Sequence, residues 1–331
     1  GAAPGLEEVI LQPDGKIIMV GGMTGYNNVS RTGIIRMNSD GTIDNTFNGG
    51  GAGTDAPVSA VALQADGDVV IGGAFSSYNG APTGPFIRLL SNGTVDGSFV
   101  PPTLSPATSY IESIAIQTDG AIVAAGAMFY SGGAMTPAIR VNTSGTLDSA
   151  FNIAASDNLA YNVNITSGGD ILLTGWFSRL GATDRGGVAR FTSGGAVDAV
   201  FAPSLNDGGR AQNVLIQTDG KVIAVGNFQT ANGVSYKDIV RFNTDGTVDQ
   251  SFVSGLGTAA NNLTYARNVL AAKLQPDGKI LVAGDFGSFN GSGKNSLVRL
   301  NGNGSVDTSF TMDQSAFDPA NVLWIYDLAV D

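Results

Sequence analysis

The 331 residues include 47 Gly and 12 Pro but neither Cys nor His, and 43% are hydrophobic against 14% charged. Without thiols or imidazoles there is no disulfide framework, no thiol catalysis, no Cys-ligated zinc, and neither the commonest general base nor the commonest metal ligand. The 17 Lys+Arg against 28 Asp+Glu leave a net charge of −11, which repels nucleic acid and anionic lipid, and no apolar run reaches the roughly 18 to 20 residues that span a bilayer.

The chain opens at Gly1 without a basic or apolar leader, which predicts that any targeting segment is removed or lies outside this sequence. A first apolar run at Glu8 to Gln12 ends in the turn Pro13-Asp14-Gly15, and a second run ends on Gly22. A loop from Met23 to Arg31 follows, and then the segment Arg36-Met37-Asn38-Ser39-Asp40-Gly41-Thr42-Ile43-Asp44-Asn45-Thr46-Phe47. The same order returns five times. The Arg-to-Phe segment recurs at 88–99, 140–151, 190–201, 241–252 and 299–310, and the glycine recurs at Gly73, Gly126, Gly175, Gly226 and Gly284. Successive Arg residues stand 52, 52, 50, 51 and 58 apart, the last step carrying a longer loop around Gly257 to Thr264.

Asp-Gly between β-branched runs predicts a hairpin with a type I′ turn, so each unit reads as three strands and a shorter fourth, as around Thr94 to Phe99 in the second. No window of about 11 residues has a helical period. Units of about 50 residues with up to four antiparallel strands predict an all-β chain, a β-propeller of six blades in a single domain over 1–331. The repeats fall at about 6–52, 53–105, 106–155, 156–205, 206–256 and 257–313. A seventh copy of the first strand is expected at 322–331, around Ile325 to Val330. That surplus keeps a seven-fold ring, or an open array cut from a longer chain, as alternatives.

A residue needed once by function should not occur six times. The pairs Arg36/Asp44, Arg88/Asp96, Arg140/Asp148, Arg190/Asp198, Arg241/Asp249 and Arg299/Asp307 are therefore read as buried pairs or Asp-capped turns of each blade. The repeated Phe residues from Phe47 to Phe310 read as core anchors between blades. The turn Asn243-Thr244-Asp245-Gly246 resembles a calcium loop, but the acid becomes Asn92, Ser144, Gly194 and Asn303 elsewhere, so no metal or other cofactor is expected.

The phrases Leu274-Gln275-Pro276-Asp277-Gly278-Lys279-Ile280 and Arg299-Leu300-Asn301-Gly302-Asn303-Gly304-Ser305-Val306-Asp307, with their copies, resemble the delta-60 repeat, a bacterial β-propeller-like repeat. The resemblance runs from about Glu8 to Phe310. It implies a recognition or scaffolding role at the bacterial surface, outside the cell or on a virion, since such repeats occur in large surface proteins and similar propellers in phage tails and fibres.

Function is expected where the units differ, in the loop after each glycine. Tyr26, Tyr78 and Tyr130 recur there and read as packing. Unit four departs most, and its Trp176, Arg179, Asp184 and Arg185 are the candidate binding residues: a ring to stack on a sugar face beside groups that bond hydroxyls. A glycan-cleaving enzyme would need two facing carboxylates, with Asp170, Asp184, Asp207, Asp238 and Asp285 as candidates that nothing in the sequence brings together. The reading is a non-enzymatic propeller that binds a surface glycan or protein, neither nucleic acid nor membrane, as part of a larger chain or assembly. The alternatives are a purely structural module of a surface or phage tail assembly, and a carboxylate-based glycan-active enzyme.

Overall fold

A computed structural model describes the chain apart from residues 1–4, 106–107, 130–132, 152, 206–207, 254, 256, 260–268, 312–324, 326, 329 and 331. Strands and turns make up the described residues, with one short 3₁₀ turn at Phe47–Gly50 and no helix long and apolar enough to cross a membrane. The chain forms two compact units, 1–169 with 193–196, and 170–192 with 197–331.

The first unit holds three antiparallel sheets in succession: Leu6–Leu11, Ile17–Gly21 and Ile34–Met37; Val58–Leu63, Val69–Gly73 and Phe86–Leu89; Tyr110–Ile116, Ile122–Met128 and Thr136–Val141. The strand Ala160–Ile165 closes that unit's share of repeat 4. The second unit holds Ile171–Gly175 paired with Val188–Phe191, then Arg210–Ile216, Val222–Asn227 and Ile239–Phe242, then Ala271–Leu274, Ile280–Ala283 and Leu297–Leu300. In every complete sheet the middle strand is the second in sequence. It is strongly apolar and covered on both faces in repeat 2, where Val69, Val70 and Ile71 are wholly buried.

Within each unit, neighbouring sheets bury their faces against one another. Ile18, Val20 and Ile34 of repeat 1 pack on Val61, Ile71 and Leu89 of repeat 2, and Ile223, Val225 and Ile239 of repeat 5 pack on Ile280, Val282 and Val298 of repeat 6. Each such side chain contributes about 1.5–3 kcal/mol that an isolated repeat could not realise.

The turns differ from expectation. In Pro13-Asp14-Gly15 and its copies only the glycine has positive φ, 81° at Gly15 and 80° at Gly220, whereas type I′ needs it at both central residues. Gly15 N–H bonds Gln12 C=O and Gln12 N–H bonds Lys16 C=O, which is a type I turn closed by a left-handed glycine. The Asp instead caps the turn, Asp14 Oδ1 accepting the N–H of Lys16. The fourth strand shrinks to one bridge per repeat, such as Leu89↔Val95 or Phe242↔Val248, because the backbone turns again at the repeated Asp. The C-terminal strand expected at 322–331 lies mostly outside the described residues, and those described there, Ile325, Asp327, Leu328 and Val330, are not in a strand.

The repeated glycine has a steric cause. First strands carry a bulge, with register shifts at Leu6/Glu8, Val58/Ala60, Ile111/Ser113 and Ala211/Asn213, which brings a carbonyl over the second strand. A Cβ on Gly73, Gly126 or Gly226 would lie 2.3, 2.2 or 2.0 Å from the backbone oxygen of Pro57, Tyr110 or Arg210. In repeat 1 the equivalent is Gly21, not Gly22, with a Cβ 2.2 Å from Gly5 O. Gly226→Ala is expected to destabilise by about 1–3 kcal/mol or more in urea titration. Gly97→Ala, with open space around its Cβ, should be neutral.

The repeated Arg, Asp and Phe form one device. Asp44 Oδ2 accepts Arg36 Nε at 2.9 Å while Asp44 Oδ1 caps the next turn through Thr46 N–H and Oγ1 at 2.9 and 2.5 Å. Equivalent Arg–Asp bonds join the other five pairs, at 2.7 to 2.9 Å from Nε. The guanidinium also stacks on its own repeat's Phe, its centre 4.4 to 4.9 Å from the ring in all six. It then reaches into the next repeat: Arg36, Arg88, Arg190 and Arg241 donate to the backbone oxygens of Ser91, Thr143, Thr244 and Gly302 at 2.6 to 2.7 Å. Arg140 does the same to Ser193 O. The bond reaches the third residue beyond the next Arg each time, so the Arg staples successive repeats. In repeats 1, 5 and 6 a lysine joins the Asp: Lys16, Lys221 and Lys279, at 2.9, 2.7 and 3.2 Å.

Candidate functional site

Repeat 4 carries the four residues singled out by sequence. Trp176 follows Gly175 at the end of a strand, is 37% exposed, and lies under the guanidinium of Arg210, whose centre is 3.7 Å from the ring centroid. It is therefore not a core filler. Arg179–Leu180 and Thr183–Asp184 pair as a two-residue hairpin that brings Arg179 opposite Asp184. Their side chains form an ion pair at 3.2 Å while 56% and 90% exposed. Such a pair contributes under about 1 kcal/mol, so an incoming hydroxyl or charge can replace it at small cost.

Arg185 does not join them. It is buried, donating from Nη1 to Asp184 O at 2.8 Å and from Nη2 to Asp198 O at 3.3 Å. Nor is it unique: Arg31 occupies the same place, five residues before the repeated Arg, and is buried with Nη1 on Gly51 O. Arg185 frames the loop. Arg210, from a different repeat, is the residue sequence reasoning missed, since nothing local links positions 34 residues apart.

The candidate acids are dispersed in role. Asp184 belongs to the exposed pair, Asp285 is fully buried, and Asp238 is buried with its carboxylate accepting Thr258 Oγ1 and Phe228 N–H. Asp207 is outside the described residues, as is Tyr130. Among the described residues no group of three or more Asp, Glu, His or Cys is arranged for a metal. The Asp245 turn closes on itself, Oδ1 accepting Thr247 N–H and Oγ1 at 2.9 and 2.6 Å. Glu112 sits at a first-strand bulge, where burial and then the charge of Glu7 raise its carboxyl above the ordinary range.

The long loops hold more order than their sequences announced. Gly25–Tyr26 with Val29–Ser30, Ser77–Tyr78 with Ala81–Pro82, and Thr230–Ala231 with Val234–Ser235 are miniature hairpins. Tyr78 is packed as expected, buried with its hydroxyl on Gly93 O at 2.9 Å. The turn asparagines Asn79, Asn232 and Asn290 adopt φ of 51°, 49° and 49° and grip the tail that follows the preceding repeat's Phe. Asn79 N–H donates to Gly53 O at 2.7 Å while its Oδ1 accepts Gly53 N–H at 2.9 Å. Asn232 and Asn290 hold Ser204 and Gly257 in the same way. Asn-Gly between short runs was the available signal.

The family described as "Domain of unknown function (DUF5122) beta-propeller" matches the chain six times, over 12–47, 64–99, 117–151, 169–201, 217–252 and 275–310, each match ending on the repeated Phe. The chain belongs to this family. A comparison with curated proteins found no match. Among solved structures, this DUF5122 propeller is similar to the WD40 β-propeller domain of Doa1, with TM-score 0.52 and 15% identity over 93% of this chain and 83% of that one. It is similar to virginiamycin B lyase from Staphylococcus aureus, with TM-score 0.51 and 13% identity over 92% and 83%. It also resembles PorZ, an essential bacterial surface component of the type-IX secretion system of Porphyromonas gingivalis, with TM-score 0.53 and 14% identity over 95% of this chain and 42% of that one. At such identities these likenesses establish the β-propeller fold alone.

Proposed function

We propose that this DUF5122 propeller, whose units we identify with the delta-60 repeat, is a non-enzymatic recognition module of a bacterial surface or virion that binds a surface glycan or protein through repeat 4. The carrying observation is Trp176: a large ring left partly exposed in a blade position, steadied by Arg210, beside a hairpin whose Arg179–Asp184 pair is solvent-open. Such a ring can stack on a pyranose while the pair exchanges partners with hydroxyls. The absence of His and Cys from the sequence supports the non-enzymatic reading, and the likeness to a bacterial surface component supports the location.

The test is a glycan array probed with the full chain. The expected outcome is binding to a defined set of sugars that Trp176→Ala weakens about tenfold or more, roughly 1.4 kcal/mol, at an unchanged thermal midpoint. An array without hits, or a Trp176→Ala chain that binds as well as wild type, would overturn the glycan reading at this site.

A further inference from the structure

The tail after the repeated Phe follows one rule in repeats 1 and 4. Gly53 and Ser204 make single parallel bridges to Thr32 and Gly186, the residue four before the repeated Arg. In repeat 5 Gly257 lies so close to the corresponding Lys237 that a Cβ would stand 2.1 Å from Lys237 O. The asparagine of the next repeat then grips the tail from outside. The slot beside that residue is thus built to receive an extended backbone, and in these repeats the chain fills it with its own.

Repeat 2 departs on every side of the slot. The residue three before the Arg has positive φ at Gly33, Gly187, Asp238 and Ser296, but here it is Pro85, whose ring forbids that conformation, and Gly84 takes φ of 84° instead. The tail reads Val100-Pro101-Pro102, which lacks two N–H donors, and no backbone hydrogen bond joins 99–105 to 82–86. In sequence, the ninth residue before the repeated Arg is Ser131 in the next repeat, against Asn79 in repeat 2. What remains is a groove of about 550 Å³, within the range of binding pockets. Phe86 and Phe99 form its floor as an edge-to-face pair 5.6 Å apart, and Val100, 65% exposed, stands on its rim. No charged residue lines it. Repeat 3, which also has a proline at that position, Pro137, has a smaller hollow of about 140 Å³ in the same place.

We propose that the repeat 2 groove receives an extended, apolar segment of a partner protein, which takes the place beside Gly84 that Gly53 takes beside Thr32. The chain's own tails show the backbone geometry the slot accepts, and strand addition of this kind uses main-chain bonds for affinity and alternate side chains for choice. In repeat 1 the Thr32 carbonyl accepts Thr54 N–H at 3.1 Å, and the Gly84 carbonyl is the equivalent acceptor for the incoming segment. A glycan fits poorly, because hydroxyls set against proline and phenylalanine rings lose water without gaining partners.

The experiment pans a random nine-residue peptide library on phage against the full chain and measures selected peptides by fluorescence anisotropy. Thr103→Trp, at an exposed position of the rim, fills the groove, and Val100→Asp places a charge in it. The expected result is enrichment of peptides with apolar residues at alternate positions, whose affinity falls about tenfold or more in both variants, at wild-type thermal midpoints. Trp176→Ala binds these peptides as wild type does, which separates this site from that of repeat 4. The proposal is overturned if nothing enriches above a protein-free control, or if the selected peptides bind both groove variants as tightly as wild type. It is also overturned if light scattering shows a self-association that Val100→Asp abolishes, which would make the groove an interface between copies of the chain.

Discussion

Asp249→Ala lowers the stability of the chain by about 3–5 kcal/mol, read as a shift of the urea midpoint at unchanged slope. Asp249 is 6% exposed and accepts Lys221 Nζ at 2.7 Å, Arg241 Nε at 2.8 Å, and Ser251 N–H and Oγ at 2.9 and 2.7 Å. Its removal leaves Arg241 buried with its charge uncompensated, still tied to Gly302 O and stacked on Phe252. The loss also reaches the next repeat, because the position of the guanidinium sets the staple. Asp148→Ala costs less: Asp148 is 29% exposed, no lysine joins it, and Ala150 stands where Ser251 stands in repeat 5. Equal losses at the two positions would contradict the graded burial of the device.

Acid removes the same stabilisation from all the repeats together. Asp44 and Asp249 are held well below the ordinary carboxylate range: burial pushes their pKa upward, but Thr46 and Lys16 outweigh it at the first, and Lys221 and Ser251 at the second. The hydroxyls of Ser98 and Ser309 lower Asp96 and Asp307 against burial, Arg140 lowers Asp148, and Arg190 lowers Asp198 against burial. Asp55, gripped by Ser76 and Ser77 despite burial, falls to about 2. A group whose folded pKa is depressed stabilises above its unfolded value, about 3.9, and loses that contribution as pH falls toward the folded value. Thr42 and Thr247 lower Asp40 and Asp245 as well, whereas Glu112, raised by burial and Glu7, and Asp68, raised by burial and Asp66, act in the opposite sense, two groups against nine. Urea midpoints are therefore expected to be flat from about pH 7 to 5 and to fall steeply between about pH 4 and 2. A midpoint at pH 2.5 equal to that at pH 6 would remove the carboxylates from the account.

Repetition made most of this fold legible in the sequence. A strand, a glycine under a bulge or an Arg–Asp pair seen once is weak, but six copies at one spacing fix the period, the three strands and the scaffold role of the charges. The unread parts have physical causes. The fourth strand reads as a shorter strand, yet the turn at the repeated Asp allows it one bridge. The Asp-Gly turns share composition with type I′ turns, and only φ at the Asp distinguishes them. Arg36 was paired with Asp44 from spacing, whereas its bond to Ser91 O crosses to another repeat and uses a backbone atom that no side-chain pattern reports. Arg185 looked unique because Arg31 lies in a loop with a different surrounding sequence. Trp176 was found because it breaks the repeat, and Arg210, its stacking partner, breaks nothing. The repeat 2 groove follows from Pro85, Pro101 and a missing asparagine, which acquire meaning only once Asn79 is seen gripping Gly53.

The proposed function divides the chain between repeated residues that hold its blades together and unrepeated ones that would bind. Glycan-array signal per folded molecule, measured side by side for wild type, Asp249→Ala and Trp176→Ala, tests that division most directly. The predicted result is a wild-type signal for Asp249→Ala despite its lost stability, and a lost signal for Trp176→Ala despite its wild-type stability. Binding lost with Asp249 and kept without Trp176 would contradict it.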